Sequence, residues 1–215
     1  MSAIDADGTL VVLFDFRDPH GYLALAPTMA LIERTGVLCH WYPFLGSPLK
    51  QPRQPPADAD RGTWHRWHRA DYLAKDLARY AQARGLPARH FTDGGLYRPD
   101  DGELAAMGFN WAFGEGPGVV RRYLQAVFEG YWDGDLALDR LADIERVLRL
   151  TGADADGFET YAGEAGIHEL AAQRDAAVAA GGFTPGSFLL GGEAFVGRQH
   201  LPYIEARLRR LVVSA

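Results

Sequence analysis

Hydrophobic and polar positions alternate in a way that predicts strands and helices at both ends of the chain. The apolar-rich run Val11–Phe16 predicts a strand covered on both faces, because branched and aromatic residues crowd into it. A helix is predicted directly after it, since Asp18 can act as an N-cap before Pro19 and apolar residues then recur at helical spacing. The helix is expected to stop at Gly36, and Val37–Pro43 predicts a second strand, parallel to the first across a right-handed crossover.

The middle of the chain, from residue 63 to residue 180, is helical in pattern. A long loop rich in proline and polar residues, Gly46–Gly62, leads into it. For the predicted helix that runs through Leu138–Leu148, either Asp133 or Asp135 is available as the N-cap. The predicted helices run through Trp64–Tyr80, Val119–Tyr131, Leu138–Leu148, a short helix near Phe158, and Glu164–Ala179.

The end of the chain returns to strands. Ser187–Leu190 and Glu193–Val196 are separated by two glycines, which predicts a β-hairpin with a two-residue turn. Residues 197–200 then open a final helix whose inner face carries Leu201, Ile204 and Leu208. The element order is therefore βα, β, a helical block and ββα.

Composition and charge narrow the classes of protein that fit. The chain has 215 residues, 47% of them hydrophobic, so it can bury a core. A net charge of −6 argues against a role on nucleic acid or at a membrane surface, and no apolar run approaches the length that spans a bilayer. The first residues lack the features of a secretory signal, so a cytoplasmic location is expected.

The chain contains one cysteine, Cys39, which excludes an internal disulfide and a dithiol–disulfide cycle within the chain. Cys39 lies in a predicted strand, away from the first helix, and is therefore predicted to be a buried, unreactive thiol.

The segment Phe14–Ala24, FDFRDPHGYLA, resembles the opening of the DsbA superfamily of thioredoxin-like proteins. Within that superfamily it is most similar to the glutathione-dependent branch, the 2-hydroxychromene-2-carboxylate isomerases and kappa-class glutathione transferases. The resemblance implies an α/β, thioredoxin-like βαβ…ββα core, residues 1–62 and 181–215, with an all-helical insertion, residues 63–180. Three later stretches extend it: Tyr72–Ala81 ahead of Gly85-Leu86-Pro87, Phe128–Leu136, and Phe188–Leu201.

The resemblance also implies a function. It points to a glutathione-dependent isomerase or transferase that acts on a small aromatic electrophile, with glutathione as cofactor and a homodimer as the assembly. The alternative is a DsbA-like binding module without redox cysteines, either inactive or of changed chemistry.

Asp18 is the main departure from the family pattern, because relatives place a serine there whose hydroxyl donates to the glutathione thiolate. A carboxylate at a helix start is expected to have a lowered pKa and to be ionised. Facing a thiolate at about 4 Å it would cost roughly 4 kcal/mol at an effective dielectric constant near 20. Asp18 is thus a candidate general base or simply an N-cap, and His20 is the better hydrogen-bond donor. Asp18 and His20 are the candidate catalytic residues.

The resemblance places the glutathione site between the first helix and the segment before the hairpin. Relatives carry a cis-proline there, and Thr184-Pro185-Gly186 stands in its place, with Gly186 at the proline position when counted without gaps. We predict that the Thr184–Pro185 bond is cis and lies against the Asp18 turn; an ordinary trans turn is the alternative. The remaining candidate binding residues are Pro19 in the first turn and Arg198 and Gln199 for the glutamyl end. For the glycyl carboxylate the alternatives are Lys50, Arg53 or Arg69.

The run Trp64–Arg69 holds two histidines three positions apart without cysteine or acidic partners nearby. That spacing is poor evidence for zinc, and its aromatic residues at helical spacing favour packing. No metal site is predicted.

Overall fold

The computed structural model describes residues 8–50, 53–91 and 95–213, with side chains as far as residue 210. Its sheet has four strands in the order β2-β1-β3-β4. The strands are β1 (Leu10–Phe14), β2 (Cys39–Pro43), β3 (Ser187–Leu190) and β4 (Glu193–Val196).

The central strand β1 fixes the sheet. It pairs parallel with β2, where Val12 lies opposite Trp41, and antiparallel with β3, where Val12 lies opposite Phe188. All five residues of β1 are buried, as the apolar run predicts. The strand ends at Phe14 rather than Phe16, because the Asp15 carboxylate accepts the backbone N–H of Arg17 at 2.9 Å and turns the chain.

Eight α-helices are present in the described part of the chain, and α8 follows a 3-10 turn over Arg198–His200. The Asp18 cap, the Gly36 stop with φ 65° and the glycine hairpin are confirmed. The predicted caps of α5 are wrong, because Asp133 is the last residue of α4 and Arg140 stands at the N-cap of α5. The helices are α1 (Pro19–Thr35), α2 (Arg61–Ala83), α3 (Glu103–Phe113), α4 (Pro117–Asp133), α5 (Leu141–Thr151), α6 (Phe158–Gly163), α7 (Ala165–Ala179) and α8 (Leu201–Val213).

The helical block shares one hydrophobic core with the start of α1. Tyr22 of α1 stacks on Phe128 and Trp132 of α4, with ring centroids 5.8 and 6.1 Å apart. Trp132 is fully buried, and its Nε1 donates a hydrogen bond of 3.1 Å to the carbonyl oxygen of Phe16. The helical block therefore holds the turn between β1 and α1, and the predicted domain boundaries stay a prediction.

Helices long and apolar enough to cross a bilayer do not occur among the described residues. Cys39 lies on β2, and burial raises the pKa of its thiol to about 12, which agrees with a thiol that stays protonated.

Candidate active site

A cleft of about 840 Å³ opens where the start of α1 meets the turn before β3; we call it the α1 cleft. Its floor comes from the β1–α1 turn and the β3 turn, and its walls come from the loop after β2, from α7 and from the segment after β4. Its lining includes Asp15, Arg17, Asp18, His20, Phe44, Leu45, Gly46, Ser47, Pro48, Leu49, Arg174, Val178, Gly182, Phe183, Thr184, Pro185, Gly186, Val196, Gly197 and Gln199.

Asp18 is partly buried at the floor and caps α1 with both carboxylate oxygens. Oδ1 accepts the N–H of His20 at 3.1 Å, and Oδ2 accepts the N–H of Gly21 at 2.9 Å. The expectation of a lowered pKa is wrong: burial raises the pKa of Asp18, and this outweighs the lowering by the charge and N–H of His20. The rule does hold at Asp60, the exposed cap of α2, where hydrogen bonds from Thr63 lower the pKa of the carboxyl group.

Gly186 fits the floor because it has no side chain. A β-carbon at this position would lie 2.7 Å from Oδ2 of Asp18, and the backbone has φ +70°, which favours glycine. Its N–H donates to the carbonyl oxygen of Leu13 and its carbonyl accepts the N–H of Gly197, both at 2.9 Å. Both backbone groups of Gly186 are thus used within the protein.

The predicted cis bond is wrong, because no peptide bond among the described residues is cis and Thr184–Pro185 is therefore trans. The left-handed conformation of Gly186 reverses the chain instead, and its N–H keeps a hydrogen bond to β1 that a proline would lack. Thr184 and Pro185 line the same cleft as Asp18, and the residue after them, Gly186, makes the contact with the Asp18 turn.

An ion pair that the sequence reasoning missed, Asp15 with Arg17, holds the floor in place. Asp15 is 3% exposed, and its carboxylate accepts Nε and Nη2 of Arg17 at 3.0 and 2.7 Å and the N–H of Gly46 at 2.9 Å. Arg17 also donates to the carbonyl oxygens of Gly46 and Asp100. A signal existed: Asp15 is the single charged residue in the run Val11–Phe16, and a buried carboxylate requires a partner.

The structure brings together six of the predicted site residues and separates four. Arg198 lies against α2, its guanidinium 4.5 Å from the centre of the Tyr80 ring. Lys50 and Arg69 are exposed and do not line the cleft, and the same holds for the alternative Arg53. Pro19 is buried in the first turn of α1. The six that line the cleft are Asp18, His20, Thr184, Pro185, Gly186 and Gln199.

Arg174 of α7 lines the cleft, and sequence reasoning missed it because no motif marks that part of α7. Its guanidinium lies 5.6 Å from the centre of the Phe44 ring, over the wall of the cleft. The rim beside it is apolar: Phe183 is 68% exposed and Val178 is 53% exposed. An open rim of this kind suits a ligand with an apolar, flat body.

Within the described residues, no group of three or more histidine, cysteine or acidic side chains is placed to hold a metal ion.

The chain matches the model of the DSBA-like thioredoxin domain over residues 9–209, and it belongs to that family. The α/β, thioredoxin-like core with inserted helices is thereby confirmed. No curated protein matches the chain.

Several solved structures share the fold. The structure of 2-hydroxychromene-2-carboxylate isomerase (HCCA isomerase) is 21% identical, covers 95% of this chain and 96% of its own, and has a TM-score of 0.69. The cytosolic disulfide reductase DsbM from Pseudomonas aeruginosa is 21% identical, covers 96% of this chain and 100% of its own, and has a TM-score of 0.65. A structure of the same reductase with GSH is 20% identical, covers 94% of this chain and 99% of its own, and has a TM-score of 0.62. At these identities the similarity shows the fold.

Proposed function

We propose that the α1 cleft binds glutathione and that the protein is a glutathione-dependent isomerase or transferase of a small aromatic electrophile. The observation that carries this proposal is the meeting of two turns in one cleft, with Gly186 against Asp18 and an apolar rim above them. In this proposal the glutathione thiol lies at the floor beside Asp18 and His20, and the aromatic substrate packs against the exposed ring of Phe183 on the rim.

Two relatives support this ligand and this reaction class. One solved relative is a 2-hydroxychromene-2-carboxylate isomerase, and another, DsbM, has been crystallised with GSH. The single cysteine, with a pKa raised to about 12 and a place outside the cleft lining, favours an external thiol over a thiol of the chain. A homodimer and a cytoplasmic location remain predictions.

A second candidate, a binding module without the family chemistry, is favoured by one specific observation. Pro185 lines the cleft edge and has no N–H, and both backbone groups of Gly186 are already engaged. A peptide-like ligand that extends the sheet would therefore lack a donor at this edge, which weakens glutathione binding by about 1 kcal/mol.

Two experiments test the proposal. Calorimetric titration with reduced glutathione measures binding, and an assay of the conjugation of glutathione to a chlorodinitrobenzene, with excess thiol, measures turnover. Saturable binding together with turnover above the uncatalysed rate is expected. Binding without turnover favours the module, and absence of binding overturns the glutathione function. Phe183→Ala should weaken the aromatic substrate while leaving the affinity for glutathione unchanged, because this side chain lies on the rim.

A further inference from the structure

The backbone hydrogen-bond donors that a thiolate would use at the cleft floor are engaged within the protein. The N–H groups of His20 and Gly21, at the positive end of α1, are bound by the carboxylate of Asp18. At the facing edge, the N–H of Gly186 is bound by Leu13, and Pro185 has none. The start of α1 is therefore already occupied by the carboxylate of Asp18, and this carboxylate would repel a second anion at that point.

The nearby cation, Arg17, does not supply the missing donors for a thiolate. Arg17 lines the cleft, but its guanidinium donates to Asp15, Gly46 and Asp100. The charged and titratable groups around Asp18 are His20 on its own helix, Asp15 and Arg17 on the strand end, and Arg174 on the opposite wall.

Asp18 itself keeps room to accept. Each of its carboxylate oxygens takes one backbone N–H, and an ionised carboxylate oxygen has about two lone-pair sites, so one remains on each. Burial raises the pKa of Asp18, which makes its carboxylate a stronger base than an exposed one.

We infer that Asp18 binds the glutathione thiol as a neutral S–H donor and takes its proton when sulfur attacks the electrophile. This inference rests on the proposed function and assigns Asp18 a role that a serine cannot have. In the step, sulfur donates a lone pair to the electrophilic carbon and the S–C bond forms. The S–H bond breaks, and the proton passes to a carboxylate oxygen of Asp18. With a chlorodinitrobenzene, chloride leaves with the electron pair of the C–Cl bond, so atoms and electrons balance.

The first measurement is the ultraviolet absorbance of the thiolate in the glutathione complex as a function of pH. In the wild type, the bound thiol is expected to ionise at or above the ordinary thiol pKa of about 8.5. Asp18→Ser removes the negative charge, keeps an N-cap and supplies a hydroxyl donor, so the bound thiol should ionise at a clearly lower pH. Asp60→Ser is the matched control: it makes the same substitution at the cap of α2, outside the cleft lining, and should leave the pH at which the bound thiol ionises unchanged.

The second measurement is the pH dependence of kcat/KM with a chlorodinitrobenzene. Asp18→Asn keeps one of the two cap hydrogen bonds, since an amide nitrogen cannot accept an N–H, and it cannot take a proton. It should lower kcat/KM by about 100-fold and abolish the acid limb of the profile. His20→Gln should retain that limb. Loss of the limb in His20→Gln and its survival in Asp18→Asn would assign the base to His20 and overturn the inference.

The outcomes separate the two proposals. A thiol that binds as a thiolate at neutral pH in the wild type leaves the glutathione function standing and overturns the role of Asp18. No binding of glutathione overturns both. A bound thiol that stays neutral until Asp18 is replaced supports the inference.

Discussion

Gly186 and Asp18, 168 positions apart in the chain, are in such close contact that a β-carbon on Gly186 would lie 2.7 Å from Oδ2 of Asp18. This contact joins the turn before β3 to the start of α1. It makes position 186 sensitive to a single methyl group, for two separable reasons.

Gly186→Ala should lower the free energy of unfolding by about 2–3 kcal/mol, since an L-residue pays about 1–2 kcal/mol in the left-handed region and the methyl group also collides with Asp18. Gly192→Ala is the matched control, because Gly192 has φ +75° with nothing within 4 Å of its β-carbon position. Urea unfolding measures both. Equal losses for the two variants would show that the contact with Asp18 costs nothing.

Asp18 and Asp60 should affect stability with opposite dependence on pH. The folded pKa of Asp18 is raised, so the folded state binds more protons and the wild type loses stability as pH rises from about 4 through the folded pKa. The folded pKa of Asp60 is lowered, so its contribution is present above about pH 4 and is lost as pH falls through the folded pKa.

Relative to the wild type, Asp18→Ser should therefore gain stability as pH rises and Asp60→Ser should lose it, in denaturant titrations between about pH 2 and 8. The two slopes are the test. Slopes of the same sign would mean that burial does not dominate the pKa of Asp18.

Arg17→Met should lower the free energy of unfolding by about 3–5 kcal/mol, because it leaves the carboxylate of Asp15 buried without its partner. Arg79→Met, which breaks the exposed pair with Asp76, should cost less than about 1 kcal/mol. Adding Asp15→Leu to Arg17→Met should recover part of the loss. A double variant as unstable as the single one would mean that the loss does not come from an unpaired charge.

Pro185→Ala should strengthen the binding of reduced glutathione by about five-fold, since the new N–H supplies a hydrogen bond of about 1 kcal/mol at the cleft edge. That N–H would stand where the ring Cδ now packs near Gly46. Pro48→Ala removes another proline of the lining and should leave the affinity unchanged. Calorimetry compares them, and an equal gain in both variants would point to flexibility rather than to a new donor.

The strands and helices were predictable because their signals are local. Asp18 and Gly36 mark the two ends of α1 as its N-cap and C-cap, and two glycines form the turn between β3 and β4. The α3 helix did not stand out, because seven of its eleven residues are buried and its apolar positions do not form a single stripe.

The residues of the candidate site were predictable only where they lie in a recognisable sequence motif. His20, Thr184 and Gln199 were found from motifs, and they line the cleft. Arg198 was expected in the cleft but lies outside its lining, against Tyr80, whereas Arg174, for which no position was predicted, lines the cleft beside Phe44. The direction of such a long side chain depends on its tertiary neighbours. The predicted lowering of the Asp18 pKa was wrong for a related reason, because the burial of Asp18 depends on the assembled cleft and not on its neighbours in the sequence.

The hydrogen bond from Trp132 to the carbonyl oxygen of Phe16 spans 116 positions of the chain. Contacts of such sequence separation require a long loop to close before they contribute, and they slow the folding of domains that depend on them. The turn that carries Asp18 acquires its final support only when α4 has docked onto it. The α1 cleft should therefore form late in refolding, after most helical signal has returned, and partial opening of the helical block should disrupt it first.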